Sequence, residues 1–249
     1  SITFGDNFIK GCSSLTSLKI KSINNIIVQS NMFDDCKMLK DIKFDTLSRL
    51  KLCDGCLKQL KNIENIEIIS NHFDTYGSFC FQNCSTLKKL ILNLKKDIRL
   101  PKEFLDGCKS LSTLQVTTLE SIDIPKGSMN GLEKLQNVKL SGKKVIIDDD
   151  CFNNCDSLNK IEIIESEYIK ICNNGFKNCN KFEIIELICK NNSENTPKIQ
   201  LEEHCFKNAK SLKDITFTGG ETSIRNNCLK DCISLDKISF VKAGNITFS

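Results

Sequence analysis

The sequence predicts an α/β repeat solenoid, with a parallel β-sheet along one side and short helices or 3₁₀ turns with extended segments along the other. Three observations predict it. A cysteine-centred pattern returns about every 24 residues through all 249 residues of the chain. Each copy carries two short stretches with apolar residues at alternate positions, the period of a half-buried strand. Between these stretches the apolar residues fall at i, i+1, i+4 and i+7, which is one face of a helix.

The copy Cys151-Phe152-Asn153-Asn154-Cys155-Asp156-Ser157-Leu158-Asn159-Lys160-Ile161-Glu162-Ile163 displays the pattern C-F-x-N-C-x-x-L-x-x-I-x-I. With its second cysteine as anchor, the equivalents are Cys12, Cys36, Leu60, Cys84, Cys108, Leu132, Cys155, Cys179, Ala209 and Cys232. The steps between them are 24, 24, 24, 24, 24, 23, 24, 30 and 23 residues. Residues 1–249 therefore read as one domain of about ten repeats, the eighth of 30 residues. The pattern runs from Ile2/Phe4 to Ile246/Phe248, so the expectation is a piece of a longer array.

Each element of the unit has its own signal. Apolar residues lie six and eight past the anchor, as in Leu114/Val116, Ile161/Ile163 and Ile238/Phe240; these predict the main strand. A second alternating pair lies ten and eight before the anchor, as in Ile98/Leu100, Ile122/Ile124, Val145/Ile147, Ile169/Ile171 and Ile199/Leu201. It predicts a further extended segment, closed by Pro101 and Pro125. The helical face in between, for example Cys151, Phe152, Cys155 and Leu158, has Asn7, Asn31, Asp150, Asn174 and Asn227 at its expected N-cap. One such unit cannot bury its apolar face alone, and stacking units builds a continuous core.

Composition excludes several classes. Hydrophobic residues make up 40% of the chain and charged residues 27%, a globular balance. The net charge is only +4, with Arg49, Arg99 and Arg225 the sole arginines. That argues against a nucleic-acid partner. No apolar run reaches the roughly 18–20 residues of a membrane span, so no direct insertion by this segment is expected.

Twelve of the 15 cysteines fall in two columns, the anchor and the position four before it. Leu, Ala, Phe and Met replace them, which marks small buried hydrophobes. Helical layers would hold neighbouring thiols beyond the 4.4–6.8 Å Cα separation of a disulfide, so inter-repeat bridges such as Cys12–Cys36 or Cys155–Cys179 are not expected. Cys53, Cys172 and Cys189 lie outside both columns. Cys53-Asp54-Gly55-Cys56 is a lone C-x-x-C without the further ligands a zinc site needs.

Catalytic and cofactor chemistry is not expected. His72 and His204 are the only histidines and lie about five repeats apart. Asp148-Asp149-Asp150 reads as a solvated acidic loop, no glycine-rich phosphate loop is present, and neither a metal nor a cofactor is implied. Of the N-x-S/T sequons at Asn83, Asn191 and Asn245, Asn191 is the credible glycosylation acceptor if the chain is secreted.

The repeated F-x-x-C-x-x-L-x-x-I-x-I unit, with I-x-L-P at Ile98–Pro101 and I-x-I-P at Ile122–Pro125, resembles the BspA-like (Treponema-type) leucine-rich repeat. The resemblance covers the whole chain and departs from the pattern at Leu60, Leu132, Ala209 and the longer eighth repeat. It implies a right-handed, curved solenoid whose sheet lines the concave face. It also implies a non-enzymatic protein, often surface-exposed and implicated in adhesion, with no shared catalytic residues.

Outward strand positions lie five, seven and nine past each anchor. Seven lysines and six acids occupy these thirty positions, and none is aromatic or arginine. Ile164, Ile184 and Ile188, with Glu162 and Glu186 among them, form an outward cluster the core does not need. This cluster is the expected protein-binding site on the concave face. The function expected is adhesion or recognition at a cell surface or outside the cell. The alternative is a structural scaffold in a cytoplasmic assembly, where reduced cysteines are natural.

Overall fold

The computed structural model describes residues 1–58, 60–75, 80–190 and 196–249. Among them the chain coils into a parallel β-solenoid of about ten turns. The main strands are β2 (Ser17–Ser22), β4 (Asp41–Leu52), β5 (Asn65–Thr75), β6 (Lys89–Leu94) and β8 (Thr113–Thr117), followed by β10 (Asn137–Ser141), β12 (Lys160–Ser166), β14 (Ile184–Cys189), β16 (Asp214–Thr218) and β18 (Lys237–Val241). The extended segments are strands too: β1 (Ile2–Phe4), β3 (Ile26–Val28), β7 (Ile98–Arg99), β9 (Ser121–Ile124), β11 (Lys144–Ile147), β13 (Tyr168–Ile171), β15 (Lys198–Leu201), β17 (Glu221–Ile224) and β19 (Ile246–Phe248).

These strands form two parallel sheets. One has 12 strands in the order β1-β3-β4-β5-β6-β8-β10-β12-β14-β16-β18, with β2 also paired to β4. The other has seven, β19-β17-β15-β13-β11-β9-β7. β4 and β5 run unbroken through both strand positions of their repeats, so β1 and β3 join the first sheet. Both sheets keep register across the long repeat: Ile184 faces Asp214 and Tyr168 faces Lys198. The extra residues therefore fall between β14 and β15, where no strand must accommodate them.

The expected helices are absent among the described residues, and the fold is all-β rather than α/β. The linking wall is a series of single turns, such as Cys155 N–H to Phe152 O at 3.2 Å and Leu158 N–H to Cys155 O at 3.0 Å. The physical reason is left-handed residues at two positions in most of the described repeats. One sits five before the anchor: Asn7, Asn31, Asp150, Asn174 and Asn227 have φ of 63°, 57°, 53°, 55° and 56°. The other directly precedes the anchor, as at Asn83, Asn154, Asn178 and Asn208, with φ of 60°, 60°, 61° and 61°. A right-handed helix cannot pass through such residues. The five expected N-caps are thus corner residues, since an N-cap keeps a β-region φ.

Asparagine suits these corners because its short amide tolerates left-handed φ. It also bonds along the stack. Asn178 Nδ2 donates to Asn154 Oδ1 at 3.0 Å, and Asn208 Nδ2 donates to Asn178 Oδ1 at 2.9 Å. Glycine takes the same place at Gly107, with φ 74°, where an added Cβ would collide with Asn83 Oδ1.

The core fills the space between sheets and turns. Ile161, Ile163, Leu158, Ile169 and Ile171 are fully buried, as their columns predict. Phe152, Phe176 and Phe206 stack with centroids 4.8 and 5.5 Å apart. The anchor cysteines do more than fill volume. The thiols of Cys84, Cys108, Cys155 and Cys179 each donate to a carbonyl of the preceding repeat, at Leu57 (3.0 Å), Phe81 (3.2 Å), Met129 (3.3 Å) and Phe152 (3.2 Å).

With no helical layer, the turn wall keeps sheet-like spacing. Phe206 N–H reaches Cys228 O of the next repeat at 2.9 Å. The expectation that neighbouring thiols stand too far apart to bridge therefore fails at one place: Cys205 Sγ and Cys228 Sγ are 3.4 Å apart.

Candidate protein-binding face

The outward face of the 12-stranded sheet carries the predicted site residues on β12 and β14. Register places Lys160 opposite Ile184, Glu162 opposite Glu186 and Ile163 opposite Leu187. The pairing then shifts, because Ile164 and Glu165 of β12 face Ile188 of β14 alone, and it resumes at Ser166 with Cys189. This is a β-bulge, with Glu165 at φ 64°. It compensates for the 23-residue step before it: β10 pairs β12 at that offset, while β11 pairs β13 at 24.

The structure brings Ile164 and Ile188 side by side but separates Ile184 from them. Ile184 lies four positions along β14 from Ile188, a rise of about 13 Å. It is flanked by Lys160 and Asp214 and is 38% exposed. Ile164 and Ile188 are half-buried, with Ser141 and Thr218 as their outer neighbours. The predicted single cluster is an isoleucine pair on one rim and a lone isoleucine on the other.

Between them lies a charge-neutral strip. Lys160 Nζ bonds Glu162 Oε1 at 2.6 Å and approaches Glu186 Oε2 at 3.2 Å, and Lys139 Nζ lies 3.6 Å from Glu162 Oε2. The bond from Lys160 holds the Glu162 carboxyl below the usual carboxylate range, and Glu162 holds the Lys160 ammonium above its ordinary value. Both acids are therefore partnered. Similar cross-repeat pairs occur elsewhere on the face, such as Lys43–Glu67 at 2.7 Å.

Sequence reasoning missed two groups. Ile69 and Ile91 are also outward on this face, in β5 and β6, and the same position count exposes them. Thr46, Ser70 and Thr118 are buried where the chain turns between the two strand positions. Their hydroxyls bond backbone there, as in Thr46 Oγ1 to Asn24 O at 2.6 Å and Thr118 Oγ1 to Lys96 O at 2.7 Å. A small hydroxyl residue ten past the anchor is the signal that could have found them.

The remaining candidates resolve as local structure. His204 occupies the left-handed corner column at φ 58°, while His72 lies in β5. Cys53 Sγ donates to Gln29 Oε1 at 3.2 Å, whereas Cys56 is buried in the core, so the two thiols of the C-x-x-C have different surroundings. Asp148, Asp149 and Cys172 are half-buried and place potential ligand atoms within 4.8 Å of one another. Both carboxylates already hold turns, accepting N–H from Asp149 and from Asn173 at 2.9 Å each. Burial pushes the Cys172 thiol up to about 11, and Cys155 and Cys189 to about 12. Asn191 lies outside the described residues. No helix among the described residues is long and apolar enough to cross a membrane.

A parallel-strand solenoid with this period defines a repeat protein of the leucine-rich kind. Its repeats match the BspA type leucine rich repeat region, in six copies, over residues 2–125 and 122–248. The chain belongs to that family. Leucine-rich repeat proteins typically bind other proteins. Among solved structures, a leucine rich cell surface protein from Faecalibacterium prausnitzii A2-165 is similar at 14% identity, with 96% of this chain and 69% of that chain covered and a TM-score of 0.37. A leucine-rich repeat protein from Bacteroides ovatus ATCC 8483 is also similar at 14% identity, over 96% of this chain and 87% of that one, with a TM-score of 0.30. Comparison with curated protein sequences returns no match.

Proposed function

We propose that the protein is a non-enzymatic interaction solenoid, acting in recognition or adhesion at a cell surface through the outward face of the first sheet in repeats seven and eight. The observation that carries this reading is the Ile164/Ile188 pair, set at a bulge and turned away from a core that is already filled. Bulges commonly re-aim side chains beside functional sites. The neutral strip of Lys139, Glu162, Lys160 and Glu186 supplies satisfied polar contacts beside an apolar anchor, and Ile184 extends the footprint across the strand. On this reading the face is concave and an exported chain carries its glycan at Asn191. A second reading, a scaffold inside a cytoplasmic assembly, is favoured by one observation: the described cysteines are held as thiols.

The test is to screen the wild-type protein against an array of purified surface and secreted proteins. Affinity for each partner recovered is then compared with that of the Ile164→Asp, Ile188→Asp double variant. Folding is checked by thermal melting. Binding lost with folding retained supports the site, and unchanged affinity in the folded double variant removes it.

A further inference from the structure

We propose that the turn wall carries an inter-repeat disulfide site, Cys205 with Cys228, which closes by exchange with a low-molecular-weight disulfide of the glutathione type. Both residues belong to the column four before the anchor. This column holds cysteines in adjacent repeats here and at Cys56/Cys80; Cys151, its fifth cysteine, stands between Ser128 and Gly175.

Geometry separates this column from the anchor column. Anchor thiols run parallel, each bonded to a carbonyl of the preceding repeat. In the earlier column Cys205 Sγ lies 3.4 Å from Cys228 Sγ, whereas the Cys80 thiol donates to Cys53 O at 3.7 Å. The backbone bond from Phe206 to Cys228 O sets the layers at sheet-like spacing. Parallel strands lie about 4.8 Å apart, inside the Cα range a disulfide accepts. A small rotation of each side chain closes the remaining sulfur gap.

The exchange balances without any group from the protein beyond the two thiols. One cysteine thiolate attacks R–S–S–R, forming Cys–S–S–R and releasing R–S⁻. The second thiolate displaces the remaining R–S⁻ and forms the Cys205 Sγ–Cys228 Sγ bond. The two thiol protons pass through solvent to the released thiolates. The protein dithiol is oxidised and the small disulfide is reduced. Cys205 and Cys228 are 0% and 2% exposed. The chemistry therefore belongs to the docking of one repeat on the next during folding, before burial suppresses the thiolate.

The experiment unfolds the protein under reduction and refolds it in a mixture of reduced and oxidised glutathione. Remaining thiols are alkylated in denaturant and the links mapped by mass spectrometry of an unreduced digest. The expected result is two of the fifteen thiols protected, in a peptide pair joining Cys205 to Cys228. Cys151, Cys155 and Cys179 should be alkylated throughout. The oxidised protein should melt higher than the reduced one. Cys228→Ser, a residue the column already accepts at Ser128, should expose Cys205 and leave no link. Fifteen alkylated cysteines in folded protein, links mainly within the anchor column, or a thiol count unchanged by Cys228→Ser would each overturn the proposal. If refolding fails, the same mapping on protein secreted through an oxidising compartment reads the same link.

Discussion

The turn wall and the outward face of the first sheet are built by the same repeats, yet they follow different rules. On the turn wall chemistry recurs because geometry leaves little choice. A left-handed corner admits Asn, Asp or Gly at low cost, and a pocket facing a backbone carbonyl suits a small thiol. On the sheet face each outward side chain touches only its neighbours and solvent. There the row nine past the anchor reads Asn93, Thr117, Ser141, Ile164, Ile188, Thr218, Val241. The difference teaches where to look for recognition: in the positions the coil leaves free.

If the turn wall is the structural half, alkali should attack it first. Burial raises the thiols of Cys108, Cys151, Cys155 and Cys179 above the ordinary 9.0, with Cys155 at about 12. A raised thiol favours the protonated, folded state. Its stabilisation is complete below pH 9 and is lost as pH rises from 9 toward 12. A tenfold change in acidity corresponds to about 1.4 kcal/mol, so each pH unit above 9 removes about that much stability through Cys155. Denaturant titrations between pH 8 and 11 should show a steep fall, shallower in Cys155→Ala. A flat profile would mean that the thiol columns do not hold the wall together.

The next largest effect is expected in the phenylalanine stack. Phe176 is fully buried between Phe152 and Phe206. Phe176→Ala should cost about 3–5 kcal/mol, read as a fall in the denaturation midpoint. A loss near 1 kcal/mol would show that neighbouring coils collapse into the cavity.

Much of the fold was legible because a solenoid writes its geometry into a period. Ile161/Ile163 and Ile169/Ile171 marked both strands, and the anchor spacing set the register that pairs Lys160 with Ile184. The turns were not legible as turns. Cys151, Phe152, Cys155 and Leu158 show helical spacing because successive single turns also advance the chain about one face per four residues. Only the left-handed φ at Asp150 and Asn154 separates the two, and an asparagine at a turn reads equally well as a cap. Ile164 and Ile188 were legible as outward, but the bulge at Glu165 was not. It arises from a one-residue deficit in the preceding repeat, which counting anchors reveals without saying where the strand absorbs it.

The corner residues give a smaller and sharper test of the turn wall. Asn178 holds φ 61° and bridges Asn154 and Asn208. Asn178→Ala keeps neither the conformational tolerance nor the ladder and should cost about 1–2 kcal/mol. Asn178→Gly loses the ladder but keeps the φ, so it should cost less. Equal losses would assign the column to its hydrogen bonds rather than to backbone conformation.

On the sheet face the smallest change in stability should accompany the largest change in recognition. Ile188 is half-buried and shares its row with Thr218 and, one repeat beyond Ile164, Ser141. Threonine is β-branched and already occupies this row, so Ile188→Thr should cost no more than about 1 kcal/mol. It removes one of the two apolar side chains at the bulge without adding charge beside Glu186. Melting curves of Ile188→Thr and wild type should nearly overlay, while affinity for a partner found with wild type should drop about tenfold, or about 1.4 kcal/mol. A variant that melts several degrees lower would place Ile188 with the core and erase the contrast between the two walls. One that melts and binds like wild type would leave the contrast standing but move the binding surface elsewhere on the sheet, with Ile69 and Ile91 the next pair to change.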